Sequence, residues 1–474
     1  MKILFINPPI KRLAEAETPK FVTTERGFSP PLGLIQIATC INKNTEHEAQ
    51  VLDAQVLEMS ADSIRRKIKE ISPDVVGMSA FTFTLLDILD IAKMVKEINP
   101  EIKVVLGGPH PTLFPNETIK QENVDIVAFG EGEITFQELI ENISKKDNLK
   151  NVDGIVFKEN NSIIRTKPRS FIKNLDTLPI PDRTLTPYKK YFSVLSKKKP
   201  LTIAVTSRGC SYKCTFCDRP QAGGKSWRAR SVKSVVDEME ECASIGIKEI
   251  LFYDDTWTMH MKRAEEICKE ILSRKIDISW DVRTRVDRVD SHLLTLMKRA
   301  GCGRVNFGVE SGTSEGLITV KKEVDLGTVE RAFKMCRSVK MDSLAYFMFG
   351  IPGETKKQML ETVKFAKKIK PDFCHFTVFT PFPETGIWRE LIAKGNTHVL
   401  ETWRNYAENP ANEVFDSPTC NEHLNKEQLF KMCNDAYKSF YFRPKYLAEE
   451  LMKVKSLGEF VRKSKAGIKM LVPN

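Results

Sequence analysis

The chain has 474 residues, of which 41% are hydrophobic and 28% are charged, and this composition excludes both wholesale disorder and a membrane-embedded bundle. Its length suits two or three globular domains, each able to bury a core. The surplus of Lys and Arg over Asp and Glu, 73 − 62 = 11, is spread thinly, so it indicates a lysine-rich solvated surface rather than a nucleic-acid-binding arm.

The N-terminus, MKILFINPPI, lacks the basic-then-apolar layout of a signal peptide, and the chain contains no apolar run long enough to span a bilayer. We therefore expect a cytoplasmic protein without a transmembrane segment. Because the cytosol keeps thiols reduced, most of the 11 cysteines are expected to be small core residues, and the others metal ligands.

Residues 1–145 alternate short apolar runs with amphipathic stretches. The runs predicted to be buried strands are KILFINPP, EAQVLDA, DVVGMSA, KVVLGGP and DIVAFGEGE. This alternation predicts a doubly wound parallel sheet of the flavodoxin or Rossmann kind, in which ligands bind at the carboxyl ends of the strands. Four loops at that edge carry glycine, proline or hydroxyl groups, at residues 7–9, 79–82, 107–110 and 130–133.

Residues 146–199 are predicted to be a linker that contains a hairpin, GIVFKENNSIIRT, and a proline-punctuated segment, LPIPDR. From residue 200 to 385 the alternation resumes, with predicted strands TIAVTSR, EILFYDD, ISWDVRT, RVNFGVE, SLAYFMFG and FCHFTVF. Six strand–helix units predict a partial (βα)6 barrel, whose chemistry takes place at the carboxyl ends of its strands. Residues 386–474 are predicted to form a helical C-terminal extension that ends in a basic amphipathic segment.

The stretch CSYKCTFC places Cys210, Cys214 and Cys217 directly after the first barrel strand. A structural zinc site needs a fourth ligand, and no second pair of cysteines or histidines of that kind lies nearby. A redox pair needs two thiols rather than three. A 4Fe–4S cluster held by three thiolates leaves one iron open to a further ligand, which favours a cluster that binds a substrate or cosubstrate.

CSYKCTFC resembles the Cys-x3-Cys-x-aromatic-Cys loop of radical S-adenosylmethionine (SAM) enzymes, whose cluster binds SAM and cleaves it reductively to a 5′-deoxyadenosyl radical. The resemblance continues through YDD, WDVRTR, FGVESG and GIPGE at the ends of the next barrel strands. It implies a 4Fe–4S cluster on the three cysteines. It also implies a SAM site formed by Phe216, Asp254, Arg283, Glu310, Ser311, Gly350 and Gly353.

The N-terminal half resembles the cobalamin-binding domain of one radical SAM subclass, the class B methylases and their relatives, through GGPHPT, FGEGE and LPIPDR, and FYFRPKYL resembles that subclass's C-terminal motif. The expected cobalamin-binding residues are Ser79, Thr82, Gly107, Gly108, Pro109, Gly130, Glu131 and Gly132. No Asp-x-His-x-x-Gly follows the first strand, so cobalamin is expected to lack a lower histidine ligand. His110 is expected to shape its glycine turn instead.

These resemblances imply a cobalamin-dependent methyltransferase that acts on an unactivated carbon through a 5′-deoxyadenosyl radical and methylcobalamin. A ring-forming or C–C-bond-forming enzyme on the same scaffold is the alternative, and an RNA-modifying enzyme is a weaker one because no appended RNA-binding module is apparent. The expected partners are a small-molecule or lipid substrate and an external electron donor, flavodoxin or ferredoxin, with no nucleic acid. The chain is expected to be monomeric, with peripheral membrane contact through its basic tail as an alternative to packing on the barrel.

Overall fold

A computed structural model of the chain describes residues 1–12, 27–160, 162–218, 224–410 and 415–453. Its two main sheets confirm the predicted α/β fold class. The first sheet has seven strands in the order β3-β1-β4-β5-β6-β7-β8. These strands are β1 Lys2–Asn7, β3 Glu48–Asp53, β4 Val75–Ser79, β5 Lys103–Gly107, β6 Ile126–Ala128, β7 Ile155–Glu159 and β8 Ser162–Arg165.

The strands β1, β3, β4, β5 and β6 pair in parallel, as the alternating sequence pattern predicts. Residues 3–6 of β1 are all buried, because helices cover both faces of the sheet. The strand order reverses between β1 and β4, which creates a crevice at their carboxyl ends. The helices of this layer are α1 Leu32–Asn44, α2 Ala61–Ile71, α3 Leu85–Ile98, α4 Pro109–Leu113, α5 Pro115–Ile119 and α6 Gly132–Lys145.

The predicted hairpin forms, but it belongs to the first sheet rather than to a separate linker. Its strands β7 and β8 pair antiparallel with each other, and β7 also pairs antiparallel with β6. The apolar residues of GIVF explain this placement, because Ile155, Val156 and Phe157 are buried in the cores on either side of the sheet. The first structural unit therefore extends about twenty residues beyond the expected boundary at residue 145.

The second sheet contains the six predicted barrel strands, all parallel, in sequence order. They are β10 Leu201–Ala204, β13 Glu249–Phe252, β14 Ser279–Thr284, β15 Cys302–Glu310, β16 Asp342–Phe349 and β17 Phe373–Val378. The helices outside them are α7 Val232–Ser244, α8 Met261–Ser273, α9 Ser291–Arg299, α10 Ser314–Thr319, α11 Leu326–Ser338 and α12 Lys356–Ile369. Two short antiparallel pairs complete the strands: β2 Gly27–Phe28 with β9 Phe192–Ser193, and β11 Ser207–Arg208 with β12 Arg228–Ala229.

The C-terminal extension packs on the barrel through aromatic side chains. Its helices are α13 Gly386–Ala393, α14 Thr397–Glu408, α15 Lys426–Tyr441 and α16 Pro444–Lys453. On α15, Phe440 is fully buried and the hydroxyl of Tyr441 donates to the carbonyl of Cys374 at 2.8 Å. The predicted packing of this segment is confirmed as far as Tyr446, whose hydroxyl donates to the carbonyl of Asp372 at 2.8 Å. Beyond it Leu447, Leu451 and Met452 are exposed, and most of the basic tail lies outside the described residues.

The two sheets meet through an apolar contact next to the first barrel strands. Val56, from the carboxyl edge of the first sheet, packs with Leu201, Ile203 and Leu251 of the barrel. Tyr191 belongs to the same cluster, and its hydroxyl donates to Asp53 Oδ2 at 2.6 Å at the end of β3. The carboxyl edge of the first sheet therefore lies against the open side of the partial barrel.

Candidate active site

The three predicted cluster ligands lie in one loop after β11, and each is partly exposed, whereas the other cysteines are buried. Cys217 N–H donates to the carbonyl of Cys214 at 3.3 Å, which closes a turn between the second and third thiols. Thr215 anchors that turn to the barrel. Its N–H donates to the carbonyl of Val320 at 3.1 Å, and its own carbonyl accepts from Ile387 N–H at 2.9 Å.

The surroundings of this loop suit an anionic iron–sulfur cluster. Among the described residues, no three His, Cys, Asp or Glu side chains converge on the position of a single metal ion. A cubane cluster does not require such convergence, because each thiolate binds a different iron. Arg285 Nη1 lies 3.8 Å from Cys214 Sγ. Burial raises the pKa of the Cys214 thiol, while Lys322 and Arg285 lower it, so two cations favour the thiolate form.

Asp254 supports the stem of the cysteine loop. Its carboxylate accepts hydrogen bonds from the Thr206 hydroxyl at 2.7 Å, the Ser207 hydroxyl at 2.5 Å and the Thr206 N–H at 3.0 Å. The carboxylate is almost fully buried, and burial raises its pKa. These contacts correct the expectation that Asp254 is presented to SAM, because its oxygens hold the two residues that precede the loop.

Glu310 stands at the carboxyl end of β15 with a buried partner, Lys322, whose Nζ lies 2.7 Å from Glu310 Oε1. Lys322 is therefore the counter-charge of Glu310. Glu310 has a φ of 73°, a left-handed conformation that strains a non-glycine residue. A Cβ at Gly308 would lie 2.4 Å from Glu310 Oε1, so the glycine of FGVE makes room for the ion pair.

Phe216 and the GIPGE segment form an apolar slot beside the ion pair. Phe216 packs with Met348 and Ile351 in one hydrophobic cluster, and Lys322 Nζ lies 5.8 Å from the centre of its ring. Gly350 takes a φ of 84°, and its N–H donates to Glu354 Oε2 at 2.8 Å. A flat aromatic group such as adenine would suit such surfaces, and the roles of Phe216 and Gly350 toward SAM stay predictions.

Glu354 holds this loop with a carboxylate that is only partly satisfied. Oε2 accepts from the N–H groups of Gly350 and Ile351, whereas Oε1 is buried with no hydrogen-bond partner. Burial raises the pKa of Glu354 to about 7. The last predicted glycine, Gly353, has a φ of 76° and donates its N–H to Glu422 at 2.6 Å.

Two predicted SAM ligands make structural contacts within the barrel. Ser311 is fully buried, and its hydroxyl bonds to Thr313, the N-cap residue of α10, so it is a structural residue. Arg283 lies two residues before Arg285 on β14, deeper in the barrel, where its guanidinium stacks on the Tyr253 ring at 3.7 Å.

The crevice at the carboxyl edge of the first sheet presents backbone and an exposed aromatic ring. Phe81, directly after β4, is 50% exposed. Ser79 ends β4 next to Gly107, which ends β5. Gly108 has a φ of 96°, and a Cβ there would lie 2.5 Å from Ser79 Oγ, so only glycine fits this close approach. A broad planar group such as a corrin ring fits this glycine-lined edge beside an exposed ring.

His110 is placed to shape this edge and not to ligate a metal. It is fully buried, its Nδ1 bonds to the Thr82 hydroxyl at 3.0 Å, and its ring packs against Phe114. Thr82 is thereby turned inward, which corrects its expected contact with cobalamin, and Pro109 serves as the first residue of α4. The other histidine of this layer, His47, contacts the N-terminal amine at the opposite edge.

The FGEGE segment joins the first sheet to the cysteine loop. Arg208, two residues before Cys210, donates to Glu131 Oε1 at 2.9 Å and to Glu133 Oε1 at 2.5 Å. Arg228 also donates to Glu131, at 3.0 Å. Burial acts to lower the pKa of Arg208, yet the two carboxylates raise it. This charge bridge corrects the prediction for Glu131, whose carboxylate faces the barrel and not the crevice.

The two glycines of FGEGE have structural roles that fit the bridge. Gly130 has a φ of 82°, which lets its N–H reach the Thr112 hydroxyl at 3.1 Å. Gly132 begins α6, and a Cβ there would lie 2.9 Å from Ile37 Cδ1 on α1. A larger residue would be strained at Gly130 because of its left-handed backbone, whereas at Gly132 it would require the end of the Ile37 side chain to shift.

Sequence reasoning missed several residues that complete the site. A single basic or aromatic residue near a strand end has no specific spacing, so the sequence gives little indication of its role. The residues of this kind are Arg208, Arg228, Arg285, Lys322, Tyr346 and His375. Arg208 was the easiest of these to predict from the sequence, because it immediately precedes the glycine before the first cysteine of the motif.

Two family models match the chain. One, described as the B12 binding domain, covers residues 20–140, and the other, described as the Radical SAM superfamily, covers residues 204–366. The first range covers β3 to β6 of the first sheet, and the second covers β13 to β16 of the barrel. Within the described residues, no helix has the length and apolar character needed to cross a membrane.

Similar proteins extend over most of the chain. An uncharacterized methyltransferase of Pyrococcus horikoshii is 36% identical over 453 residues, which is 95% of each chain. The anaerobic magnesium-protoporphyrin IX monomethyl ester cyclase of Rubrivivax gelatinosus is 28% identical over 401 residues, 82% of this chain and 70% of the cyclase. The radical SAM methyltransferase TsrM of Kitasatospora setae, solved with cobalamin and a [4Fe–4S] cluster, shares the fold at 21% identity, with a TM-score of 0.70 over 83% of this chain and 78% of TsrM.

Proposed function

Because the chain belongs to the radical SAM enzymes that carry an N-terminal B12-binding domain, we propose that it is a cobalamin-dependent methyltransferase acting on an unactivated carbon. When bound, the 4Fe–4S cluster supplies an electron for SAM cleavage to a 5′-deoxyadenosyl radical, and cobalamin supplies a cobalt that carries methyl. The Pyrococcus horikoshii relative, which matches 95% of this chain, is named an uncharacterized methyltransferase.

The observation that carries this proposal is the charge bridge between FGEGE and the cysteine loop. Arg208 bonds to both Glu131 and Glu133, so the loop that would hold the cluster is fixed to the domain that would hold cobalamin. Methyl transfer to a substrate radical requires both cofactors to face one substrate. A fixed distance between their two loops supports this requirement.

The residues of the barrel would act mainly by binding and orienting SAM. Cys210, Cys214 and Cys217 would hold the cluster, and Arg285 beside Cys214 would offset its negative charge. The pair of Glu310 and Lys322 offers one group for the amino or ribose end of SAM and one for its carboxylate.

The cobalamin edge would be formed by the backbone of Gly107 and Gly108 with Ser79 and Phe81. Because the imidazole of His110 is buried behind Thr82, no protein imidazole would ligate cobalt at this edge. The substrate would be a small molecule or a lipid, and an external flavodoxin or ferredoxin would deliver the electron to a monomeric cytoplasmic enzyme.

A ring-forming reaction on the same scaffold is the second candidate. It is favoured by the similarity to the Rubrivivax cyclase over 82% of this chain. The two reactions consume SAM differently: methylation releases S-adenosylhomocysteine together with 5′-deoxyadenosine, whereas cyclisation releases 5′-deoxyadenosine without S-adenosylhomocysteine. Mass spectrometry of SAM products from the anaerobically reconstituted full chain distinguishes the two proposals.

A further inference from the structure

The inward-facing side chains of the barrel are less buried than the outward-facing ones. Along β14, β16 and β17 the outward residues, such as Val282, Phe347 and Phe376, are fully buried in the core. The inward residues that alternate with them are only partly buried, and they line the interior: Tyr253, Arg283, Tyr346, Met348, His375 and Thr377. Barrel interiors of this kind are ordinarily filled by branched apolar side chains. The polar, partly exposed lining therefore indicates a space for a ligand.

Arg283 is the cation of this lining, and no carboxylate is paired with it among the described residues. The acidic groups that approach it along the strands already have partners. Asp281, the nearest one and on the same strand, forms an ion pair with Arg304. Glu310 pairs with Lys322, and Asp287 pairs with Arg285.

A largely buried guanidinium without a counter-charge is costly unless a partner arrives. Tyr253 offers a ring face at 3.7 Å and a side-chain hydrogen bond, and neither supplies the counter-charge of a bidentate carboxylate. The position thus has the charge and the fork geometry that suit the binding of an oxyanion.

The side chains opposite Arg283 are neutral hydrogen-bonding groups. The Tyr437 hydroxyl lies 2.8 Å from His375 Nδ1 and accepts from Phe376 N–H. Burial lowers the pKa of His375 to about 4, which keeps the imidazole neutral. Tyr346 packs edge-on against His375 at 5.4 Å. Neutral hydrogen-bonding groups therefore face the single cation, Arg283.

The location of Arg283 places such a ligand between the two cofactor loops. Two residues further along the chain, directly after β14, Arg285 contacts Cys214 of the cysteine loop. On the other side, Tyr253 packs against the cluster of Val56, Tyr191 and Leu251 that joins the barrel to the carboxyl edge of the first sheet. A molecule held by Arg283 lies where a substrate must face both loops.

We propose that Arg283, stacked on Tyr253 and faced by Tyr346 and His375, binds an oxyanion of the substrate, a carboxylate or a phosphate group. The ligand class is thereby an acidic small molecule that is anchored inside the barrel with its reacting carbon directed toward the cysteine loop. Calling the ligand a substrate rests on the proposed function, whereas the existence of the oxyanion site does not.

The test measures anion binding to the full chain, reconstituted with cluster and cobalamin and kept without turnover. Calorimetric titrations use benzoate, inorganic phosphate and, as the neutral isostere of benzoate, benzamide, at constant ionic strength and with saturating SAM present. The variants are Arg283→Met and Arg283→Lys. Arg331→Met is the matched control, because Arg331 lies on the exposed face of α11 and bonds only to Thr328 within that helix.

We expect the wild type and Arg331→Met to bind benzoate or phosphate saturably and to ignore benzamide. Arg283→Met should weaken that binding at least about tenfold, the loss that one charged hydrogen bond produces, with Arg283→Lys in between. Preference for benzoate identifies a carboxylate, and preference for phosphate identifies a phosphoryl group.

Three results would overturn the inference: equal anion affinity in Arg283→Met and wild type, binding of benzamide as tight as benzoate, or a tenfold loss of SAM affinity in Arg283→Met. The last result would assign Arg283 to SAM. If Arg283→Met does not fold, Arg283→Lys decides, because it keeps the charge and loses the fork. Failure of the anion titration leaves the SAM product analysis untouched, so the two proposals fail separately.

Discussion

Replacing Arg208 by methionine tests the charge bridge that joins the two halves of the enzyme. Glu133 is 8% exposed in its side chain and has Arg208 as its ion-pair partner, whereas Glu131 keeps Arg228 when Arg208 is removed. The substitution therefore leaves one nearly buried carboxylate without a counter-charge. Breaking a buried pair in this way costs about 3–5 kcal/mol, and we expect the lower end because the Arg208 side chain is 24% exposed.

The assay is equilibrium urea unfolding of the apo chain for Arg208→Met, Glu133→Gln and the double variant. We expect Arg208→Met to lower the free energy of unfolding by about 3 kcal/mol. The double variant should recover part of that loss, because it removes the carboxylate left unpaired by the single change. Iron content after reconstitution should fall in Arg208→Met, since Arg208 stands two residues before Cys210.

The bridge would be refuted by an Arg208→Met variant as stable as the wild type. Strict additivity of the two single changes would refute it as well, because a pair in contact must show a coupling energy. Arg65→Met provides the matched control: Arg65 pairs with Glu97 on the surface at 2.6 Å, where one ion pair contributes at most about 1 kcal/mol.

Three further predictions concern the SAM slot and the cobalamin edge. Glu310→Gln should lower the free energy of unfolding by about 2 kcal/mol, because it leaves the buried Lys322 without its counter-charge, and should weaken SAM binding about tenfold. Unchanged SAM affinity in calorimetry would restrict Glu310 to a structural role. Burial raises the pKa of Glu354 from 4.5 to about 7 in the folded state. Its stabilising contribution to the free energy of unfolding is therefore full below about pH 4.5 and is lost as the pH rises through 7, by roughly 3 kcal/mol in all. Glu354→Gln should flatten that slope in urea unfolding at pH 5 to 8, and an unchanged slope would contradict the assignment. Electron paramagnetic resonance of the cob(II)alamin-loaded full chain should show no nitrogen splitting from a protein imidazole, because His110 is buried; such splitting would show that the crevice is misassigned.

The strands and the cysteine loop were predictable because their signals are local. Runs such as KILFIN and SLAYFMF are largely apolar on both faces, a pattern typical of strands in a sheet that is covered on both sides. Three thiols at fixed gaps fit few kinds of metal site. The hairpin was also predictable, yet its membership of the first sheet was not, because one edge strand looks like another until its partner is known.

The partners of charged side chains could not be read in the same way. Glu131 and Arg208 lie 77 residues apart, and nothing in the spacing of FGEGE distinguishes a carboxylate that binds a ligand from one that bridges two domains. Asp254 illustrates the same limit. A carboxylate at a strand end in YDD has the same sequence pattern whether it faces a cofactor or holds the Thr206 and Ser207 hydroxyls, and only the fold decides between them.

If this chain uses both a 4Fe–4S cluster and cobalamin to consume SAM, each cofactor leaves its own SAM product. The distribution of these products therefore tests the proposed function most directly. The full chain is reconstituted anaerobically with iron, sulfide and cobalamin, given a strong reductant and SAM, and its products are quantified by mass spectrometry beside Cys214→Ala. We predict both 5′-deoxyadenosine and S-adenosylhomocysteine from the wild type, with S-adenosylhomocysteine dependent on cobalamin. Cys214→Ala should lose 5′-deoxyadenosine and retain S-adenosylhomocysteine. Formation of 5′-deoxyadenosine alone, with or without cobalamin, would contradict the methyltransferase assignment.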